Sequence, residues 1–436
     1  MKEKGNSTHL NPSRDRKGVV RAENGKPTVL SCGNQAAPAQ QDGAEEFSFA
    51  DLLPRLKDQG YAADRVTRRR QWVEEKTGSS LPHIGSCSFD PEELRGNIEN
   101  PIGVAQVPLG VAGPVLVHGQ HAEGLFYVPM ATSEGALIRS YERGMVALTR
   151  AGGVQTALLE DENQITPTFF FEDVASALKF SEWAPRQIIE MQAAADSTTG
   201  HGRLKNLKCY QVGRQVLVNF GFSTGDAQGM NMMVKATDAV CRWIQEHYPV
   251  PSYLIFSGMS SEKRASGFVM SRGKGKRVTA GALIPHEALK SYLHVTAEQM
   301  SRVWHSTVIG HLQAGAIGYN GHYANGLTAI FIATGQDVAN VVNSACGVTS
   351  FELHPGGLFV SATLSALSVA TVGGGTGLPT QREGLAMMGC YGRGKAKKFA
   401  EVIAAAVLGG EISMGAAIAT GEFVAAHELY GRNRPK

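Results

Sequence analysis

An aspartate at the end of an apolar stretch is the first residue with chemical potential. Ala329 to Ala333 form an apolar run, and Asp337 follows in the sequence ATGQD as the nearest charged residue. An ionised carboxylate among apolar groups is costly without a cation, so we expect Asp337 to be buried, to titrate abnormally and to have a cationic partner. The alternative is that Asp337 caps a helix that begins with VANVV.

Three further stretches contain residues that could act on a substrate. Glu134, in VPMATSEG, precedes a helix-like segment, where a favourable interaction with the helix dipole is the simplest explanation. Lys263 and Arg264 lie in a polar loop, SGMSSEKR, after a predicted strand, where lysines are usually solvated. His427 would titrate near neutrality, although a lone histidine is more often an ordinary surface or core residue. Each signal is weak when it stands alone.

Two glycine-rich stretches indicate a site for phosphate or a nucleotide. One is Gly373 to Gly377, within TVGGGTG, and the other is Asp226 to Met232, DAQGMNM. Glycines allow backbone N–H groups to approach phosphate oxygens closely. Neither stretch fits the Rossmann or P-loop pattern, so the glycines alone do not identify the ligand.

Composition limits the class of protein. The 436 residues, 43% hydrophobic and 19% charged, are enough for a large core and for two or three domains. A net charge of +3, without interleaved arginines and aromatic residues, argues against nucleic acid as a partner. Six scattered cysteines without a CxxC pair favour reduced thiols in the cytoplasm over disulfides or zinc. We expect no signal peptide and no membrane span, since no sufficiently long apolar run occurs.

Changes in residue pattern divide the chain into an α/β (α+β) organisation. Residues 1–46 are polar and predict a disordered arm, and residues 47–95 predict two short amphipathic helices, of which the second has a solvated basic face. Short β-branched runs from Asn97 to Gly119 predict the start of a sheet. Alternating strand and helix patterns between 165 and 256 predict an α+β insert. Helices rich in alanine and glycine dominate after Ala288.

Together these stretches resemble one family, the 3-hydroxy-3-methylglutaryl-CoA (HMG-CoA) reductases, and specifically class I. The resemblance covers about Asn97 to Arg434. It rests on ENPIGVAQVPLGVAGPV, VPMATSEG, GDAQGMNM, the EKR loop, GYNGHYAN, ATGQD, TVGGGT and AAHELYGRN, all in the family's order. It implies a large α/β catalytic domain around a long central helix (96–166 and 258–436), a ferredoxin-like NAD(P)-binding insert (167–257), and a homodimer or homotetramer with shared active sites.

The resemblance also implies roles for individual residues. Reduction of a thioester develops an oxyanion that a cation such as Lys263 should face, with Glu134 as the acid and Asp337 coupled to the lysine. His427 would protonate the departing CoA thiolate, and no metal is needed. Expected cofactor contacts come from Asp226, Gly229, Met230, Asn231, Arg203 and Gly374. Expected substrate contacts come from Ser257, Arg264, Asn325 and Arg143.

The sequence departs from the family at the expected substrate anchors. Ile165 stands where class I enzymes have an arginine for the HMG carboxylate, and Ser306 stands where they have a lysine. The catalytic loop is one residue shorter and has Glu262 for aspartate and Arg264 for lysine, so Arg264 could compensate in part. If Ile165 and Ser306 line the acyl pocket, that pocket favours neutral acyl groups.

The expected cofactor site also differs from the family pattern. Gly200 replaces an arginine that usually contacts the extra phosphate of NADPH, although His201 and Arg203 are close in sequence. Gln228 replaces a methionine in the DAMG motif. We therefore expect NADPH as the cofactor, with NADH as a competing alternative.

The sequence predicts an NAD(P)H-dependent reduction of an acyl-CoA thioester to an alcohol in two hydride steps. HMG-CoA, reduced to mevalonate for isoprenoid precursors, is the favoured substrate. One alternative is a related thioester that lacks the distal carboxylate. The other is a non-catalytic acyl-CoA or nucleotide-binding paralogue, which the four filled catalytic positions disfavour.

Overall fold

The computed structural model describes Pro54 and residues 60–422. The predicted disordered arm, the first amphipathic helix near residue 50 and His427 lie outside these residues. The second predicted helix is present as α1 (Ala63–Thr77). Its basic face is not fully solvated, because the Arg69 guanidinium is buried and donates hydrogen bonds to the Gly60 and Pro101 carbonyls.

The remaining helices are α2 (Leu137–Arg150), α3 (Val174–Trp183), α4 (Ile188–Asp196), α5 (Met230–His247), α6 (Gly267–Arg272), α7 (His286–Ala288), α8 (Ala297–Ala314), α9 (Tyr323–Thr334), α10 (Val341–Ser344), α11 (Pro379–Met387) and α12 (Ala396–Thr420). The strands are β1 (Leu109–Gly119), β2 (Glu123–Ala131), β3 (Val154–Ile165), β4 (Thr168–Phe170), β5 (Arg203–Val212), β6 (Gln215–Ser223), β7 (Ser252–Leu254), β8 (Gly275–Pro285), β9 (Gly347–His354) and β10 (Gly357–Leu367).

Strand β3 joins two halves of one mixed, largely antiparallel sheet. The sheet has the order β7-β4-β6-β3-β8-β10-β9, with the β1–β2 hairpin beside β3 and with β5 beside β6. The first part of β3 pairs with β8, where Gln155 lies opposite Gly281, and its last residue, Ile165, lies opposite Phe220 of β6. One continuous strand therefore connects the main body to the segment between residues 165 and 256.

Local sequence signals set where several helices begin and end. Thr296 and Gln299 form a capping box at the start of α8, in which each side chain bonds to the other residue's backbone N–H. Helix α9 ends at Gly335, whose φ of +69° is a left-handed conformation that glycine adopts without steric cost. This turn directs the chain out of the helix two residues before Asp337.

Helix α12 is the centre of the main hydrophobic core. It is long and apolar enough to cross a membrane, but 78% of its apolar window is buried inside the protein, as in a core helix. It packs against α2 at very short range, because Gly144 and Gly409 have no side chains to separate the two backbones. A Cβ added at Gly144 would lie 1.8 Å from the Gly409 carbonyl oxygen. Small residues therefore determine this contact.

A second hydrophobic core lies in the segment that the sequence predicts as an insert. Its buried residues extend from Ile165 to Val250 and include strands β4 to β6 and helices α3 to α5. Phe180 is central to it and contacts the rings of Phe169 and Phe171, each with a centroid distance of 5.0 Å. Both cores include residues of β3, since Val154 belongs to the main core and Ile165 to the second.

Candidate functional site

An ion pair joins the two residues predicted to be coupled. The Lys263 Nζ lies 2.8 Å from the Asp337 Oδ2, so the cationic partner expected for Asp337 is present. Asp337 also accepts a hydrogen bond from the Ala339 N–H and thereby caps a short 3₁₀ helix, as the alternative interpretation proposed. The expected burial is wrong, since 37% of the Asp337 side chain is exposed. Helix α9 has already ended at Gly335, and Asp337 lies in the turn that follows.

The loop that carries Lys263 has an unusual backbone. Ser261 and Lys263 have φ angles of +51° and +56°, which non-glycine residues adopt only at a cost. Ser257, at the start of the loop, donates a hydrogen bond from its hydroxyl to the Thr166 carbonyl, and Arg264 is exposed beside Lys263. The surrounding structure must hold this conformation, in which Lys263 lines a cavity.

A buried lysine that the sequence analysis missed anchors the same loop. Lys274 is 1% exposed, and its Nζ lies 2.9 Å from the Glu262 Oε2. Its ammonium group also donates to the backbone carbonyls of Gln164 and Ser260. Burial lowers the pKa of Lys274, an effect that Glu262 opposes. The GKGK sequence at residues 273–276, which leads into β8, was the available signal, because lysines are rarely buried without partners.

The cavity beside Lys263 contains most of the predicted cofactor residues. It has a volume of about 650 Å³, and its walls include Gly229, Met230 and Asn231 at the start of α5, and Gly374. Gly373 and Gly374 have positive φ angles, and a Cβ at either position would meet no atom within 4 Å. A helix start facing an open glycine loop fits an anionic group such as a phosphate.

Two predicted cofactor residues are placed less directly. The Asp226 carboxylate accepts hydrogen bonds from the backbone N–H groups of Gly394 and Ala396, and so it holds the start of α12. Arg203 is exposed at the first position of β5, opposite Ser223. Their contacts with a cofactor stay predictions. Among the described residues, no group of three His, Cys, Asp or Glu side chains could hold a metal ion.

Glu134 lies in a different cavity, of about 690 Å³. The Asn325 amide donates to both carboxylate oxygens of Glu134 at 3.2 Å, which orients the acid predicted for catalysis. Arg143 lines the same cavity and pairs with Glu422 at 3.0 Å. Helix α2 begins only at Leu137, so Glu134 lies before its first turn and is not a first-turn acid. The hydrogen bonds from Asn325 orient its side chain instead.

The predicted catalytic residues are therefore divided. Lys263 and Asp337 line the cavity with the glycine loop, whereas Glu134 and Asn325 line the other, and the two cavities share no lining residue within the described part of the chain. His427 lies outside the described residues. Within a single chain, the structure brings together the lysine and the aspartate and does not bring the glutamate to them.

The expected placement of Ile165 in the acyl pocket is wrong. Its side chain is fully buried in the second hydrophobic core, because this end of β3 packs against the interior of that core. Ser306 is exposed on α8 and lines neither of the two large cavities. These two positions therefore do not define an acyl pocket within one chain.

Comparison with known proteins gives a consistent result. Residues 65–432 match the family model for hydroxymethylglutaryl-coenzyme A reductase. The chain is 43% identical over 374 residues to the 3-hydroxy-3-methylglutaryl-coenzyme A reductase of Pyrococcus abyssi, covering 84% of this chain and 92% of that protein. The enzyme of Methanocaldococcus jannaschii is 38% identical over 400 residues, covering 90% and 99%.

The fold is shared with solved structures. The 3-hydroxy-3-methylglutaryl-coenzyme A reductase of Streptococcus pneumoniae superposes with a TM-score of 0.61 at 21% identity, over 81% of this chain and 96% of that one. Another structure, the class II reductase from the same organism bound to NADPH in open conformations, also gives 0.61, at 20% identity and the same coverage. The predicted α/β fold is thereby confirmed.

Proposed function

The chain belongs to the hydroxymethylglutaryl-coenzyme A reductase family, and on that premise we propose that it reduces HMG-CoA to mevalonate with NADPH and releases coenzyme A. The protein is thus an oxidoreductase that binds a CoA thioester. The observation that carries the proposal is the Lys263–Asp337 ion pair. Both residues line the cavity that is also lined by the glycine loop and the start of α5. A carbonyl in that cavity would have a fixed cation beside it.

The residues around the cavity fit NADPH. The partly exposed start of α5 and the open loop at Gly373 and Gly374 would hold its phosphates, and Asn231 lines the same cavity. When bound, NADPH supplies the hydride for each of the two reduction steps. We place its binding domain at residues 167–257, which contain all of the second core's buried residues except Ile165. Arg203 is the cation that we assign to its extra phosphate.

The protein's own groups manage charge and protons. The Lys263 ammonium stabilises the oxyanion that develops on the thioester oxygen, and Asp337 keeps this ammonium oriented. Glu134, oriented by Asn325, donates the proton that the oxygen requires. His427 protonates the CoA thiolate, and Arg143 provides a cation for the CoA moiety.

A second copy of the chain completes the active site. The two groups of catalytic residues line separate cavities, so a homodimer or homotetramer would bring Glu134 of one chain to Lys263 of another. The β1–β2 hairpin supports this arrangement because Leu109, Val111, Leu125 and Tyr127 are exposed large apolar residues that an interface would cover. We place the enzyme in the cytoplasm.

A thioester without the distal carboxylate is a second candidate because a family cation is missing. Ile165 occupies the family's arginine position but is enclosed in a core, so it lines neither cavity and supplies no cation to a substrate carboxylate. A thioester with a neutral acyl group is the alternative substrate. Arg264, exposed beside Lys263, is the cation that would retain HMG-CoA as the preferred substrate.

Purified protein with NADPH tests these proposals directly. HMG-CoA and a panel of neutral acyl-CoAs are supplied separately, and oxidation is followed at the nicotinamide absorbance. We expect two molecules of NADPH consumed for each CoA thiol released from HMG-CoA. Oxidation with the neutral panel alone would establish the second substrate class. Absence of oxidation with every thioester would leave a binding protein and refute the proposed reaction.

A further inference from the structure

The residue that precedes Lys263 helps to attach the catalytic loop, residues 257–264, to the protein interior. Glu262 is only 11% exposed, and its partner Lys274 is 1% exposed, whereas the neighbouring Lys263 side chain is 45% exposed. The chain thus places one residue inward and the next one outward. The orientation of Lys263 toward the cavity depends on where Glu262 is held.

Lys274 also holds backbone carbonyl groups in the loop and in the neighbouring strand β3. Its ammonium group donates to the Ser260 carbonyl at 3.1 Å, two residues before Glu262, and to the Gln164 carbonyl at 2.9 Å. Gln164 belongs to β3, which joins the two cores. Three contacts from one buried cation therefore tie the loop to β3.

The backbone conformation of the loop requires such an anchor. Glu262 lies between Ser261 and Lys263, and both of these residues have left-handed φ angles. Non-glycine residues persist in this conformation only where contacts impose it. Without the ion pair, the loop would relax to a backbone conformation that directs the Lys263 side chain elsewhere.

A second contact links the anchor to the cofactor side of the cavity. The Gln228 amide donates to the other oxygen of Glu262, Oε1, at 3.3 Å, and Gln228 directly precedes the turn at Gly229 that starts α5. The Gln228 carbonyl is held in turn by the Asn163 amide of β3. Glu262 therefore contacts both Lys274, which anchors the catalytic loop, and Gln228, which precedes α5 at the cofactor cavity.

We propose that Lys274 is a positioning residue for the reductase reaction, which acts through Glu262 to hold Lys263 at the cavity. Gln228 connects Glu262 to the turn that starts α5 on the cofactor side of this cavity. The inference rests on the proposed function, because the reaction gives the position of Lys263 its importance. Lys274 itself does not touch the reacting atoms. Its effect is on turnover through the geometry of the loop.

The test uses Lys274→Met in the full-length protein. A displaced catalytic group typically costs about a hundredfold in rate, so we expect kcat to fall by about that factor while the KM for NADPH changes by less than about threefold. The melting temperature should also fall, since the substitution leaves the Glu262 carboxylate buried without its cation. Retention of kcat in this variant would overturn the proposal.

A double variant separates positioning from stability. Lys274→Met with Glu262→Gln removes both buried charges, and we expect the melting temperature to recover while kcat stays low. Recovery of kcat together with stability would mean that Lys274 is only structural. Glu401→Gln is the matched control, because Glu401 is a fully buried carboxylate that accepts hydrogen bonds from the His121 and Ala122 N–H groups, away from both cavities. It should lower the melting temperature and leave kcat unchanged.

Hydrogen exchange gives a readout that does not depend on turnover. Exchange in residues 258–264 should become faster in Lys274→Met and should remain at the wild-type rate in Glu401→Gln. Unchanged exchange in this loop would refute the anchoring role. If the wild type shows no turnover but Lys274→Met accelerates exchange in the loop, the anchoring role stands and the proposed reaction fails.

Discussion

Lys263 and Asp337 form an ion pair with an Nζ–Oδ2 distance of 2.8 Å, although more than a third of each side chain is exposed to solvent. An exposed pair of this kind contributes only about 0 to 1 kcal/mol to the free energy of unfolding. In the proposed mechanism its value to the protein is chemical, because it would hold an ammonium group at the cavity where a carbonyl oxygen gains negative charge.

Lys263→Ala should reduce turnover by roughly a hundredfold or more, by analogy with the loss of other groups that stabilise an oxyanion. The fold should persist, since the side chain is exposed and its ion pair adds little stability. Steady-state kinetics and the circular dichroism spectrum together check this. Turnover close to that of the wild type would remove Lys263 from the mechanism.

Asp337→Asn distinguishes the two roles of this residue. Asparagine keeps an oxygen that can cap the 3₁₀ helix through the Ala339 N–H, but it removes the charge that pairs with Lys263. We expect the melting temperature to stay near that of the wild type and kcat to fall by about tenfold or more. Asp337→Ala, which loses the cap as well, should also be less stable. Equal stability of the two variants would argue against the capping role.

The ratio of activity with NADPH and NADH depends on the cations near the extra phosphate. Because Gly200 has no side chain with which to bind it, we expect a preference for NADPH below roughly a thousandfold, which corresponds to about 4 kcal/mol. Arg203→Ala should reduce the preference further by raising the KM for NADPH only. If the wild type prefers NADPH over NADH by more than roughly a thousandfold and Arg203→Ala does not change that preference, residues other than Arg203 recognise the extra phosphate.

Arg264→Ala tests how a distal carboxylate is bound. Loss of a charge-assisted contact costs about 2 to 3 kcal/mol, so the KM for HMG-CoA should rise by roughly thirty- to a hundredfold. A neutral acyl-CoA provides the comparison, because its KM should not change. If the KM for HMG-CoA is unaffected, another cation binds the carboxylate, and Arg264 has no part in specificity.

Gly144→Ala should be strongly destabilising, because its Cβ would lie 1.8 Å from the Gly409 carbonyl oxygen and both backbones would have to separate. We expect a loss of about 3 kcal/mol or more in the free energy of unfolding, measured by denaturant titration. Gly310→Ala in exposed α8 meets nothing within 4 Å and should stabilise the protein by about 0.5 to 1 kcal/mol. Similar effects of both substitutions would contradict the close α2–α12 contact.

The site could be predicted from the sequence where short motifs carried the information. The pairing of Lys263 with Asp337 followed from the resemblance, and the glycine loop was recognisable from its composition. The burial of Asp337 was predicted wrongly because the apolar helix α9 ends at the left-handed Gly335, and Asp337 lies in the partly exposed turn beyond it. Hydrophobic periodicity does not register a change of direction at a single residue.

Contacts between distant positions account for most of what was missed. Lys274 meets Gln164, which is 110 residues away, and nothing near either residue indicates the other. The position of Ile165 was inferred from an alignment with the family, and alignment does not state which core a side chain faces. The fold class was predictable because many helices and strands each contribute a signal to it. A buried ion pair such as Lys274–Glu262 depends on only two residues, whose contact the sequence pattern does not indicate.

The central position of α12 has a consequence for protein synthesis. Glu401 in this helix accepts a hydrogen bond from the His121 N–H, 280 residues earlier in the chain, and the helix packs between strands from distant parts of the sequence. Domains fold as units while the ribosome adds roughly 5 to 20 residues per second. The main core therefore cannot close until long after its first strands have left the ribosome. During that interval the growing chain exposes apolar surfaces that favour aggregation, and the cell must prevent this aggregation until α12 has been synthesised.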